Sequence, residues 1–427
     1  MKLQGLSTDQ APPLSVPIRF FLTAPIFGIL AGFLIFFTDA SSLMNRYSVE
    51  SIVITHLLTI GFLGFIMLGS LTQMLPVLAG AKIPKPQVVS MTSYIFLIIG
   101  CISMMFGLVN DNEIFTTIAF IGLGSGFFLI LTSIAIGIKT VQHLNSTVKG
   151  MAISISFAFS IVFMGLYLLY GYISKDITSL HFLIANIHSV WAIFGFAGIL
   201  IISVSFQVLP MFYVAPKFKP FCKNRVVYII SVGLVLWLFL NLFFEEYAFI
   251  AKIWLSLFFL AFATTVWIKF NKRRRPVSDV TVWYWRSASI FLALGVFLWI
   301  TDEYFKHEYI VMVATLIGGG FILSIMIGML YKIVPFLVWF HLNAIGYMSI
   351  PTMVEMIDKK LSKIQFLLFL ASLVGFIFSF YYAEFLKPSA LFFILSMIIL
   401  EYNIIQPILL YIKTKKTKPD FDMNMFQ

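Results

Sequence analysis

The sequence predicts an all-α integral membrane protein whose twelve transmembrane helices form three pseudo-repeats of four. Three observations carry that expectation. Apolar runs of 20 or more residues recur from one end of the chain to the other, the length needed to cross roughly 30 Å of hydrocarbon. Hydrophobic residues fill 60% of the 427 positions and charged residues only 11%, with mean hydropathy +0.99; a soluble chain carries about 25% charged residues. A glycine-containing stretch that ends in proline also recurs at intervals of four spans. An outer-membrane barrel is excluded, because barrel strands alternate in character and run to only about ten residues.

Taken in order, the span cores are expected at 17–38, 52–78, 88–109, 114–138, 149–173, 182–213, 225–244, 247–269, 281–301, 309–339, 361–383 and 388–412. The segment from Met1 to Pro17 is polar and contains proline, and the first span is long enough to stay in the membrane, so no cleavable signal peptide is expected. The longest loop, about 340–360, leaves no room for a soluble domain. The chain reads as one polytopic domain, 1–427, with units at roughly 17–140, 149–270 and 281–412.

Lys and Arg placement sets the orientation. Twelve spans put both termini and the even-numbered loops on one side, which holds 21 of the 29 basic residues, from Lys2 to Lys418. The odd loops hold Arg46, Lys175, Lys306 and Lys387, and the other four basic residues lie inside spans. The positive-inside rule therefore predicts cytoplasmic termini in a bacterial cytoplasmic membrane. The net charge of +11 needs no nucleic-acid partner: the run NKRRRP at 271–276 reads as a topology anchor, or as a contact with anionic lipid. Cys101 and Cys222 fall in a span and in a cytoplasmic loop, so no disulfide or thiolate metal motif is expected.

The repeat is written most plainly in THLLTIGFLGFIMLGSLTQMLPVLAG, residues 55–80, and HSVWAIFGFAGILIISVSFQVLPMFY, residues 188–213. Aligning Pro76 with Pro210 gives identities at Gly61/Gly195, Phe62/Phe196, Gly64/Gly198, Gln73/Gln207, Leu75/Leu209, Ala81/Ala215, Lys85/Lys219 and Pro86/Pro220, with no gap. A fainter third copy, GGGFILSIMIGMLYKIVP, ends at Pro335; there Gly320-Phe321 matches Gly61-Phe62, and Lys332 replaces the glutamine. Spans 2, 6 and 10 are therefore equivalent, as in repeat-built transporter folds. The glycines allow close backbone approach, and the proline removes a helical hydrogen bond. Gln73, Gln207 and Lys332 read either as helix-ending devices or as the lining of a cavity or pore mouth.

Three units of four helices, with His56 and its LLTIGFLGFIMLGSLTQMLP, His188-Ser189-Val190-Trp191, and the opening segment APPLSVPIRFFLTAPIFGILAG, resemble the twelve-helix core subunit of the heme–copper oxidases. The layout is more similar to their non-oxidase relatives, the NnrS-like membrane proteins linked to nitric-oxide stress. The resemblance implies an oxidase-like bundle, a low-spin heme ligand at His56, and a copper ligand at His188, the two facing different pockets. Span 7 lacks the paired histidines of a copper site, and span 10 has no interior histidine: His307 precedes it and His341 follows it. No dinuclear oxygen-reducing centre can be assembled by this analogy, so oxygen reductase activity is not expected. Heme or copper binding remains open, since an axial imidazole in an apolar helical pocket holds heme; Met312 is a candidate sixth ligand. Counting back from the prolines puts His56 and His188 at similar depth, roughly 3 Å apart along the helix axis. The alternative for each is an interfacial histidine bonded to a neighbouring helix, the role also expected of His143, His181, His307 and His341.

Glu401, in the middle of span 12 within LEYNIIQP, stands apart. An intramembrane carboxyl is costly and marks a proton-relay or ion-binding candidate, or a structural pair in which Lys332 is the obvious cation. Asn403 and Gln406 fall at other angles around the helix, so no polar stripe is expected. Arg286 and Lys252 lie close enough to span ends to snorkel. GLGSG at 122–126 sits inside span 4 and reads as helix packing, and the chain has no HExxH, CxxC or Walker sequence. Two functional classes stay open: a heme- or copper-binding membrane protein in redox chemistry, nitric-oxide response or metal handling, and a permease for a small solute or ion.

Overall fold

The protein is described by a computed structural model over residues 11–275, 278–305 and 308–421. Lys2, Lys306 and His307, used above, lie outside the described residues. Twelve helices among the described residues are long and apolar enough to cross a membrane. They are α1 (Ser15–Phe37), α2 (Val49–Ala79), α3 (Pro86–Val109), α4 (Glu113–Lys139), α5 (Ser146–Ser174), α6 (Ser179–Tyr213), α7 (Pro220–Phe243), α8 (Glu245–Asn271), α9 (Val280–Thr301), α10 (Ile310–Ala344), α11 (Lys359–Phe378) and α12 (Ala383–Thr414). Each falls on an expected span. The largest differences are of five residues: α7 and α12 start that much earlier, at Pro220 and Ala383, α10 continues to Ala344, and α11 stops at Phe378. The described residues contain no strand.

Local chemistry sets the ends. Ser48 caps α2 by accepting from the Ser51 N–H, Asn112 caps α4, Asn145 caps α5 and Asp279 caps α9. Pro86 and Pro220 open α3 and α7, where the missing N–H costs nothing. The glycines of GLGSG do pack helices: a Cβ on Gly100 would overlap the Leu123 backbone, and one on Gly122 would meet the Gly100 backbone at 3.0 Å. That lets α3 and α4 approach backbone to backbone. Along the other edge α1 packs on α12, with Gly28 against Met397 and Gly32 against Ile394.

The helices α2, α6 and α10 share a feature the sequence did not announce. Each contains a π-helical segment, at Leu57–Gly64, Trp191–Gly198 and Thr315–Leu323. Each segment closes twelve residues before its proline, Pro76, Pro210 or Pro335. One aligned glycine in each serves the same kind of contact. A Cβ on Gly61 would overlap Phe27 of α1; one on Gly195 would overlap Phe157 of α5; one on Gly320 would overlap Phe291 of α9. Lower down, Gly69 receives Phe20 and Gly328 receives Tyr284, while in α6 the parts are exchanged: Ser203 stands at the aligned position and packs into Gly150.

The same three helices, with Met151 of α5 and Trp285 of α9, line a cavity of about 50 Å³. From α2 it is lined by Ile66, Met67, Ser70, Leu71 and Met74. The proline alignment carries those positions onto 200, 201, 204, 205 and 208 of α6, all of which line it, and onto 325, 326, 329, 330 and 333 of α10, of which all but 330 do. Gln73, Gln207 and Lys332 are not part of this wall. The positions one residue on, Met74, Val208 and Ile333, face the cavity instead.

Candidate functional site

His56 ends the α-helical first part of α2, immediately before the π segment at Leu57. His188 lies three residues before the π segment of α6. Such widened turns are frequent at functional sites. The two imidazoles face one another: their ring centres are 6.3 Å apart and their planes are inclined by 26°. The two rings adjoin one another and do not face the different pockets that the resemblance implies. Both rings are half-buried. Among the described residues these ends of α2 and α6 are not a close-packed pair; side chains bridge them, His56 to His188 and Tyr47 to Phe182, the latter at 5.0 Å.

The hydrogen bonds fix part of the chemistry. His56 Nδ1 lies 2.7 Å from the Ile52 carbonyl oxygen. A carbonyl only accepts, so Nδ1 carries the proton and Nε2 keeps its lone pair. This backbone tether is the usual support of a metal-binding imidazole. His188 Nδ1 is buried and has no hydrogen-bond partner among the described residues. The α5 helix makes room for this ring at Gly165, where a Cβ would stand 3.2 Å from His188 Cε1. Trp191 on the next turn is pinned by its Nε1–H to the Leu234 carbonyl (3.1 Å) and by an edge contact with Phe157.

The two rings form a stacked pair with centres 6.3 Å apart, close enough for one ligand to contact both, and each lone pair lies in the plane of its ring. Among the described residues no group of three or more His, Cys, Asp or Glu side chains converges. The described residues then offer two imidazole nitrogens at this place. That donor set is too small for a tetrahedral zinc site but sufficient where four further ligands come with a macrocycle. No protein-family model matches the chain, and no curated protein matches it either.

The other candidates are dispersed. Gln73 is buried, and neither its amide oxygen nor its nitrogen has a partner among the described residues; Gln207 is half-buried. Lys332 is not the partner of Glu401. Its ammonium pairs at 2.5 Å with Asp279, at the mouth of α9. Burial pushes the Asp279 carboxyl up, but the charge and hydrogen bond of Lys332, with the Thr281 hydroxyl, outweigh it and hold the group below its usual range. Glu401 is half-buried, and its Oε2 is buried without a partner among the described residues. Asn403, by contrast, is fully buried and donates to the Tyr331 hydroxyl (3.2 Å), so the two do sit on different faces. Lys252 does not snorkel free: its side chain is 3% exposed and paired with Glu303 at 2.7 Å. His181 is buried against Gly171 and Tyr172, and His341 bridges the Leu337 and Pro12 carbonyls. Met312 is buried in α10.

One polar cluster escaped the sequence reading. Gln365 of α11 accepts from the Tyr284 hydroxyl (2.5 Å) and the Tyr331 hydroxyl (3.2 Å) and donates to Ser396 (2.9 Å). With Asn403 it ties α9, α10, α11 and α12 together inside the bundle. An isolated Gln in an apolar span, flanked by tyrosines on two others, was the only signal.

Proposed function

We propose that the chain is an internally triplicated protein of the bacterial cytoplasmic membrane, with both termini in the cytoplasm, that holds a heme between His56 and His188. The reading is of a redox or nitric-oxide-response protein related to the non-oxidase branch of the heme–copper oxidase architecture, and not an oxygen reductase. The observation that carries it is the pair of near-parallel imidazoles 6.3 Å apart on equivalent helices. The Ile52 tether supports it by leaving His56 Nε2 as a donor. The recurring glycine–phenylalanine contacts and the shared cavity positions support the triplication.

Held there by His56 and His188, a heme would supply one-electron chemistry. Ile52 orients one ring, Gly165 seats the other, and the apolar flanks limit water. A two-coordinate copper(I) ion is the next-best occupant, because it too accepts two imidazoles. The test is the visible spectrum of the protein purified after heme-replete expression. A Soret band, shifted and weakened in both His56→Ala and His188→Ala, supports the reading. Its absence from wild-type protein, with no copper by elemental analysis, overturns it.

The permease reading has its own support in the cavity at the meeting of α2, α6 and α10 and in the unpartnered oxygen of Glu401. Repeat-built transporters place their sites at such a junction. Solute-dependent currents or uptake in proteoliposomes, abolished by Glu401→Gln, would favour it.

A further inference from the structure

The cavity wall is unusual in its sulfur. Met67 and Met74 of α2, Met151 of α5, and Met326 and Met329 of α10 are five of its 16 lining residues, in a chain with 19 methionines among 427 positions. Methionine normally serves a core as an adaptable filler that closes irregular gaps. Here five surround a gap that stays open. Water is poorly served in it. The lining polar side chains are Ser70, Ser205 and Trp285; the Ser205 hydroxyl is already spent on the Ile202 carbonyl (2.6 Å), and a buried water needs two to four polar partners. Hard cations are poorly served too, since they take carboxylate and carbonyl oxygens and no acidic residue lines the wall. Thioethers select soft ions. One sulfur is already in a polar contact: the buried Tyr213 hydroxyl approaches Met329 Sδ at 3.9 Å. The void has room for a single ion among these side chains. It lies at the junction of the three aligned helices, and Met67 is roughly 16 Å along α2 from His56.

We propose that this cavity is a thioether site for one soft monovalent cation of the copper(I)/silver(I) class, separate from the histidine pair. Met67, Met326 and Met329 are the ligands assigned to it, with Met74 and Met151 completing the sulfur wall. The site does not depend on heme being bound at His56 and His188.

The probe is silver(I), in chloride-free buffer, on the full-length protein with Cys101→Ala and Cys222→Ala, because thiolates would outcompete thioethers. Equilibrium dialysis with elemental analysis should show one silver ion per chain lost, or bound at least tenfold more weakly, in Met67→Leu/Met326→Leu/Met329→Leu. Leucine keeps the volume, and an unchanged melting temperature establishes that the variant folds. If it does not fold, anomalous density from silver in the unsubstituted protein decides, with a peak expected between α2, α5 and α10. Silver bound at the histidines survives the methionine changes and is lost in His56→Ala/His188→Ala, so the two sites fail independently. Equal silver binding in the leucine variant, or silver density only elsewhere, overturns the proposal.

Discussion

Gly165 faces His188 across the α5–α6 contact so closely that a single added methyl would stand 3.2 Å from the imidazole Cε1. The absence of a side chain at this position seats the ring. Gly165→Ala should push His188 by a few tenths of an ångström and weaken any ligand shared with His56. Gly165→Val should displace the ring outright. Overpacking of this kind costs about 1–3 kcal/mol. Cofactor retention on a sizing column, measured beside the melting temperature, separates the two effects: retention should fall further than stability.

The Asp279–Lys332 pair closes the mouth of α9 and is mostly shielded, with side-chain exposures of 26% and 11%. Asp279→Asn keeps a capping side chain but removes the charge, and should cost about 1–3 kcal/mol, below the roughly 3–5 expected for breaking a fully buried pair. Asp279→Asn/Lys332→Met should be less damaging than the sum of the single changes. The sign of the pH effect follows from the depressed carboxyl. Its stabilisation is complete above the unfolded pKa of about 3.9 and is lost as the pH falls through the lower folded value. Denaturation of wild type and Asp279→Asn from neutral pH down into the acid range should show that increment begin to shrink below about pH 3.9, and only in the wild type.

Gln365 should be the least replaceable polar residue of the bundle interior. Gln365→Leu strands the hydroxyls of Tyr284 and Tyr331 and removes the donor to Ser396. The expected loss is roughly 2–4 kcal/mol, against about 1 kcal/mol for Tyr331→Phe. Adding Tyr331→Phe to Gln365→Leu should cost less than the sum of the two, since only the Asn403 contact with the hydroxyl is left to lose, and unfolding in a mixed-micelle titration would measure it.

Glu401 carries the opposite expectation. Its Oε2 has no partner among the described residues, so Glu401→Leu orphans nothing and should leave stability unchanged or higher. A loss above about 2 kcal/mol would reveal a partner outside those contacts.

These outcomes mark where the sequence could be read and where it could not. Twelve spans were legible because hydrocarbon thickness imposes length and apolarity directly, and because basic loops betray alternation. The repeat was legible from Gln73, Gln207 and the prolines. Those conserved-looking letters were not the ones lining the cavity, however: Met74, Val208 and Ile333 are, and they share no identity from copy to copy. A wall needs only apolar volume, so its residues drift. His56 and His188 were each picked out as intramembrane imidazoles. Their facing was invisible, because the rotation of a helix about its axis shifts within a π segment, and no local letter writes that shift. The partner of Lys332 was not legible, because Asp279 stands just outside span 9 and the ammonium on α10 meets it at the mouth of α9. Gln365 was passed over since one amide carries no period.

The central claim is that His56 and His188 hold one iron between them, and electron paramagnetic resonance of the oxidised, heme-loaded protein tests it most directly. Wild type should give a low-spin ferric signal. Either single variant, His56→Gly or His188→Gly, should turn high-spin while keeping part of its heme, and free imidazole should restore the low-spin signal by entering the vacated position. A wild-type signal that is high-spin, or a low-spin signal unaffected by both substitutions, would contradict the account.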